Sequence, residues 1–185
     1  MNKLSVANIE FAVAEAVLDA YVAATGLCWG FRIQSEYGQS PYNHWAPKLE
    51  SEVVLTTTER LGSYNDFGPV EISWGPPNDN SLVPSAYLYI FEHTPVYDSK
   101  VRLFRDQNGF KVQVHATADI VTDCEEISGP TTVIAQSSLD FMGILCGRCS
   151  EQESLDLVGQ YMDPECLIFE RDNYNVGILR PKSFA

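Results

Sequence analysis

Between Lys100 and Val121 apolar and polar side chains alternate almost without a break. Only an extended backbone turns a period of two into one apolar face, so this stretch predicts strands 100–105 and 110–121. A four-residue loop, Asp106-Gln107-Asn108-Gly109, sets Val101 and Leu103 on the face of Val112 and Val114. Lys100, Arg102, Lys111, Gln113 and His115 then share the other face, with Phe104 its one apolar member. A two-residue Asn-Gly turn would set Arg105 opposite Val112 and break that alternation.

The rest of the chain reads around this hairpin. Residues 6–25 are dense in Ala and Val, open after Ser5 as a candidate N-cap and end at Gly26, which predicts a largely buried helix. Strands are expected at 27–33, 52–58, 69–74, 85–93 and 131–135, punctuated by Gly62, Gly68 and the Gly75-Pro76-Pro77-Asn78 cluster. In 85–93 both faces are apolar, which suits a strand covered on both sides, with helix 6–25 on one of them. Helical pieces are expected at 137–146 and 150–162, and a last hairpin joins 166–170 to 175–180 across Asp172-Asn173-Tyr174. The fold class expected is α+β: a mainly antiparallel sheet packed by a buried N-terminal helix, with one or two short C-terminal helices and a final hairpin. Without a repeat or linker in 185 residues, one domain spanning 1–185 is the expected organisation.

Charge is the most informative functional feature. Twenty-five Asp and Glu stand against twelve Lys and Arg, a formal net charge of −13. Such a field disfavours nucleic acid and anionic membrane surfaces and favours cationic partners. Eleven of the carboxylates lie in residues 119–170 against Arg148 alone. A general solubility surface intersperses Lys among its acids, and this segment does not. The expectation is an acidic, non-enzymatic protein that binds a basic macromolecular partner, as inhibitors and immunity proteins of nuclease-like toxins do. The residues expected to carry this are Asp123, Glu125 and Glu126 before the Ser128-Gly129-Pro130 turn, and Glu151, Glu153 and Asp156 on a late helix. Tyr42 and Trp45 join them as aromatic anchors in a Gly/Ser/Asn/Pro-rich loop, although such rings also tuck back over a core. The alternative is a small-molecule-binding or catalytic domain with a pocket lined by Trp29, Phe31, Trp74, Tyr87 and Tyr89, beside His93 or His115.

Shorter motifs give weaker signals. Cys146-Gly147-Arg148-Cys149 has the spacing of thioredoxin-type CxxC motifs, but too little chain follows it for that fold, and Glu151 and Glu153 oppose a thiolate. Cys124 and Cys166 complete four thiols without the paired knuckles of a zinc ribbon. His115-Ala116-Thr117 has the His-x-Thr pattern of 2H phosphoesterases, while the second copy fails at His93-Thr94-Pro95. No cofactor, metal site or catalytic set is therefore assigned. Five cysteines at wide spacing, with Glu10, Glu15 and Asp19 interrupting the apolar N-terminal run, read as a reduced cytoplasmic protein without an export signal or membrane span.

Overall fold

The computed structural model describes residues 2–37, 45–75, 86–90, 92–121 and 128–182. Eleven strands account for most of them: β1 (Lys3–Val6), β2 (Ile9–Ala23), β3 (Gly26–Ser35), β4 (Lys48–Thr57), β5 (Val70–Trp74), β6 (Ala86–Tyr89), β7 (His93–Asp106), β8 (Gly109–Ile120), β9 (Gly129–Gly147), β10 (Leu167–Arg171) and β11 (Gly177–Pro181). The one α-helix among the described residues is α1 (Glu151–Val158). The pairings run β2-β3-β4-β6-β7-β8-β9 and return to β2, so the sheet closes into a barrel. Every contact around that ring is antiparallel except the β9–β2 seam, which is parallel. β1 lies antiparallel to both seam strands, β5 extends the wall beside β7, and β11 pairs with the far end of β9 and carries β10.

The hairpin of β7 and β8 has the register that its alternation predicts. Leu103 lies opposite Val112 and Val101 opposite Val114, while Asp106 pairs with Gly109 and accepts the Asn108 amide on its side chain at 2.7 Å. Phe110, Val112, Val114, Ala116, Ala118 and Ile120 all point inward and are buried.

The expected α+β class is wrong, and the buried N-terminal helix does not exist. Residues 6–25 instead form the end of β1, a tight Ala7-Asn8 turn with φ of 52° and 65°, and β2. Both turn residues in the left-handed region give the two-residue connection whose twist matches paired strands. The register of β2 slips between Val13 and Glu15, so its inward residues run Phe11, Val13, then Ala16, Leu18 and Ala20. A mixed spacing of two and three imitates a helical face, and Ala-rich composition strengthens the imitation. Gly26 starts β3 rather than ending a helix.

The expected helix at 137–146 is likewise strand, the second half of β9. Thr131, Val133, Ala135, Ser137, Leu139 and Phe141 face inward; then Met142 is inserted at a bulge and the phase flips to Ile144 and Cys146. Gly143 sits there at φ 118°, and a Cβ on it would come within 2.5 Å of the Leu179 carbonyl oxygen, so only glycine fits the turn of the seam. Strand β6 is not sandwiched under a helix: Ala86 and Leu88 are buried, while Tyr87 and Tyr89 stand half-buried on the outer wall. Late helicity is realised only as α1 and a short 3-10 turn at Pro164–Cys166. The last hairpin is present, with Leu167 opposite Pro181 and Arg171 opposite Gly177.

An aromatic cluster fills the barrel near its seam. Trp29 lies 4.9 Å from Phe67 and 5.8 Å from Phe141, and Phe110 contacts both Phe67 and Phe141. The loop after β4 supplies Phe67 and Tyr64, the latter stacked on Phe141 at 5.0 Å. Trp29 donates its indole N–H to the Thr57 hydroxyl at 3.0 Å, which satisfies the polar atom that a buried Trp brings. Outside, Glu71, Arg102, Gln113, Gln136 and Lys3 form one row across five strands, where a bilayer-spanning barrel presents an apolar band. No helix among the described residues is long and apolar enough to cross a membrane.

Candidate functional site

Of the eight expected site residues, Asp123, Glu125, Glu126 and Tyr42 lie outside the described residues. Trp45 is buried in the core, 3% exposed, and so is not presented to a partner; its ring covers the core, as loop aromatics often do. Glu151, Glu153 and Asp156 are brought together on α1 and all three are exposed.

The helix forms where it does because Ser150 caps it. The Ser150 hydroxyl accepts from the Glu153 amide, and the Glu153 carboxylate accepts the Ser150 amide at 2.7 Å, a reciprocal capping box. The Ser150 hydroxyl, which also donates to that carboxylate at 2.7 Å, and then the Ser150 amide favour its charged form and hold the Glu153 acid below its ordinary range. Glu151 and Glu153 also suit the positive end of the helix dipole. The other side of α1 buries Val158, with Met162 just beyond, against the end of β9 and the C-terminal hairpin.

Between α1 and β10 lies a groove of about 330 Å³. Leu155, Pro164, Leu167, Ile168 and Phe169 form its apolar surface, and Glu151 and Glu165 stand at its rim. Ile168 is 49% exposed and supplies apolar surface to the groove. None of Glu151, Glu153, Asp156, Asp163 or Glu165 forms an ion pair among the described residues. Lys182 also lines the groove, its ammonium donating to the Glu165 carbonyl at 2.6 Å, while Arg171 donates to the Cys149 carbonyl at 2.9 Å and Arg60 to the Gly159 carbonyl at 3.2 Å. The Glu151 and Glu165 carboxylates are exposed beside the apolar floor. Ion pairs occur in both regions: Glu10, Glu15, Glu50 and Glu71 on the barrel each pair with a Lys or Arg, and Glu170 pairs with Arg180 at 2.9 Å in the C-terminal hairpin.

Sequence reasoning missed Glu165 and the apolar floor. The apolar run Leu167-Ile168-Phe169 along β10 was the available signal, but it takes α1 packing alongside to make a groove of it.

The expected aromatic pocket does not assemble. Trp29, Phe31 and Trp74 are buried within the barrel, whereas Tyr87 and Tyr89 lie outside, where Tyr89 meets His93 at 3.9 Å and Lys48 at 3.9 Å. His115 is on the outer wall. A smaller cleft of about 230 Å³ gathers Asp19, Tyr21, Arg32, Glu50 and Glu52 on the same wall. It exists because Gly30 faces Asp19 across the β2–β3 pair and takes no side chain there, a Cβ being 2.6 Å from the Glu52 carbonyl oxygen. Burial raises the Asp19 acid above its ordinary range, with Arg32 opposing and Glu50 reinforcing the rise.

The thiols are poorly placed for redox chemistry. Cys146 ends β9 buried, and burial pushes its thiol up, away from thiolate, despite a hydrogen bond from Ser154. Burial raises the Cys166 thiol in the same way. Among the described residues no group of His, Cys, Asp and Glu is arranged to hold a metal ion. No protein-family model matches the chain, and no curated protein or solved structure is found to match it.

Proposed function

We propose that the chain is a cytoplasmic binding protein that captures a basic macromolecular partner through its C-terminal module, in the manner of an inhibitor or immunity protein that neutralises a cationic toxin. The observation that carries this reading is the groove between α1 and β10, apolar at its floor, with Glu151 and Glu165 at its rim outside any salt bridge and Lys182 as its one lining cation among the described residues. A basic amphipathic segment fits both halves of that chemistry. Its apolar side chains would cover Leu155, Ile168 and Phe169, and its Lys and Arg would face Glu151, Glu165 and the adjacent Asp156. Desolvated apolar contact supplies affinity, while the surrounding charge steers approach and fixes register.

The test replaces Glu151, Asp156 and Glu165 together by Lys and leaves Glu153 intact, because Glu153 caps the helix. Tagged wild type and triple variant are used to capture proteins from lysate at low and high salt. The expected result is a basic protein held by the wild type, released by salt, and bound at least about tenfold more weakly by the variant. Retention unaffected by the triple reversal, or the capture of no basic protein, overturns the reading.

A further inference from the structure

A second groove, of about 470 Å³, lies on the barrel wall and has the opposite character. It spans β5, β7, β8 and β9, and two outward rows line it. One row runs Glu71–Arg102–Gln113–Gln136 and the other Ser73–Lys100–His115–Ile134. Neighbours within a row are one strand spacing apart, ~4.8 Å, and Lys100 and Arg102 are one two-residue step apart, ~7 Å. Every polar side chain but Glu71 offers a hydrogen-bond donor, and Lys100 and Arg102 add fixed positive charge. Glu71 meets Arg102 at 3.5 Å in an exposed pair, the kind that contributes little and yields to a better partner. Lys100 has no ion pair among the described residues.

Cations on sheets often guard an exposed edge against unwanted pairing. That explanation fails here, because β7 and β8 are both paired on both sides. Nor does the overall charge account for it, since acids outnumber bases 25 to 12 in the chain. Placing Lys100 directly opposite His115 gains nothing for the sheet.

We propose that this groove is a binding site for a small anion carrying at least two oxyanion groups, phosphate or carboxylate. Lys100 and Arg102 each take one such group, and Gln113, Gln136, His115 and Ser73 donate to the remaining oxygens. The guanidinium of Arg102, already laid over the Phe104 ring at 4.9 Å, is preorganised for a planar, two-pronged contact.

The test titrates the full chain with tripolyphosphate and, separately, with citrate, each at constant ionic strength, followed by calorimetry and by the side-chain NMR signals of His115 and Arg102. Saturable binding is expected for at least one probe. Tripolyphosphate alone identifies a phosphate ligand; citrate, alone or as well, identifies a site for carboxylates. Lys100→Gln and Arg102→Gln each lower affinity about tenfold, as loss of one charge-assisted hydrogen bond does. Lys111→Gln leaves affinity unchanged, because Lys111 donates to the Ser138 hydroxyl at 2.6 Å and does not line the groove. All three side chains lie on the outer wall, so unchanged melting temperatures verify the fold. Absence of saturable binding by either probe overturns the proposal. So does equal weakening by Lys111→Gln, which would mark a diffuse charge effect.

Discussion

The barrel and the C-terminal module are built on different physical terms. In the barrel each strand from β2 to β9 on the closed path is hydrogen-bonded to neighbours on both sides, and the interior is packed from Leu4 to Leu139 with almost no exposure. The module consists of one eight-residue helix, a 3-10 turn and a two-stranded hairpin, fastened to the barrel through the end of β9 and a few residues of the loop after β4. An eight-residue helix is too short to persist alone, so α1 depends on its cap and on Val158 and Met162 beneath it. The difference teaches where local opening belongs. Breaking the barrel exposes many strands at once, whereas α1 can loosen without disturbing the closed path, and the proposed partner groove lies on the element that loosens more easily.

The largest expected effect comes from Trp29→Ala. Trp29 is fully buried, contacts Phe67 and Phe141, and donates to the Thr57 hydroxyl, so its loss leaves a large cavity among those rings. Destabilisation of about 3–5 kcal/mol is expected in denaturant unfolding. Amide exchange should accelerate throughout β2, β3, β8 and β9 together. Next comes Ser150→Ala, which removes the hydroxyl's bonds to the Glu153 amide and carboxylate, keeps the backbone donor of residue 150, and should cost about 1 kcal/mol. Here faster exchange is expected in 151–158 and not in the barrel strands. If both substitutions accelerate exchange everywhere by the same factor, the molecule opens as one unit and the contrast between its regions is lost.

The same contrast explains what could be read beforehand. β8 was legible because its inward residues keep one phase from Phe110 to Ile120, and its turn residues lie beside it in sequence. β2 and the second half of β9 were not, because each crosses an irregularity that changes the phase of its buried face, at Val13–Glu15 and at Met142–Gly143. Those irregularities answer to partners far away in sequence: Gly143 to Leu179, and β2 to both β3 and β9. A local window sees only broken alternation and reads it as helix. Charge was legible in amount but not in place. Glu151, Glu153 and Asp156 could be grouped from the sequence because they share one short helix, whereas the cationic groove needed β5, β7, β8 and β9 side by side.

The smallest expected effect sharpens the comparison through pH. In the barrel, Asp19 has its acid raised by burial, so the fold favours the neutral form. Its contribution is fully present below the ordinary carboxylate range and is lost as pH rises through the raised folded value. In the module, Glu153 has its acid lowered by the Ser150 bonds, so its contribution is present above the ordinary range and is lost as pH falls through the lowered folded value. The two regions therefore respond to acid with opposite sign. Asp19→Asn keeps the shape and removes the charge, so the variant should melt above wild type at neutral pH, by less than the loss at Ser150→Ala. That advantage should shrink to nothing as pH drops below the ordinary carboxylate range, where Asp19 is neutral in both folded and unfolded chains. Thermal unfolding of wild type and variant across that range is the measurement. A variant melting below wild type at neutral pH would mean that Arg32 outweighs burial at Asp19, and the cleft would then be held together by its charges rather than strained by them.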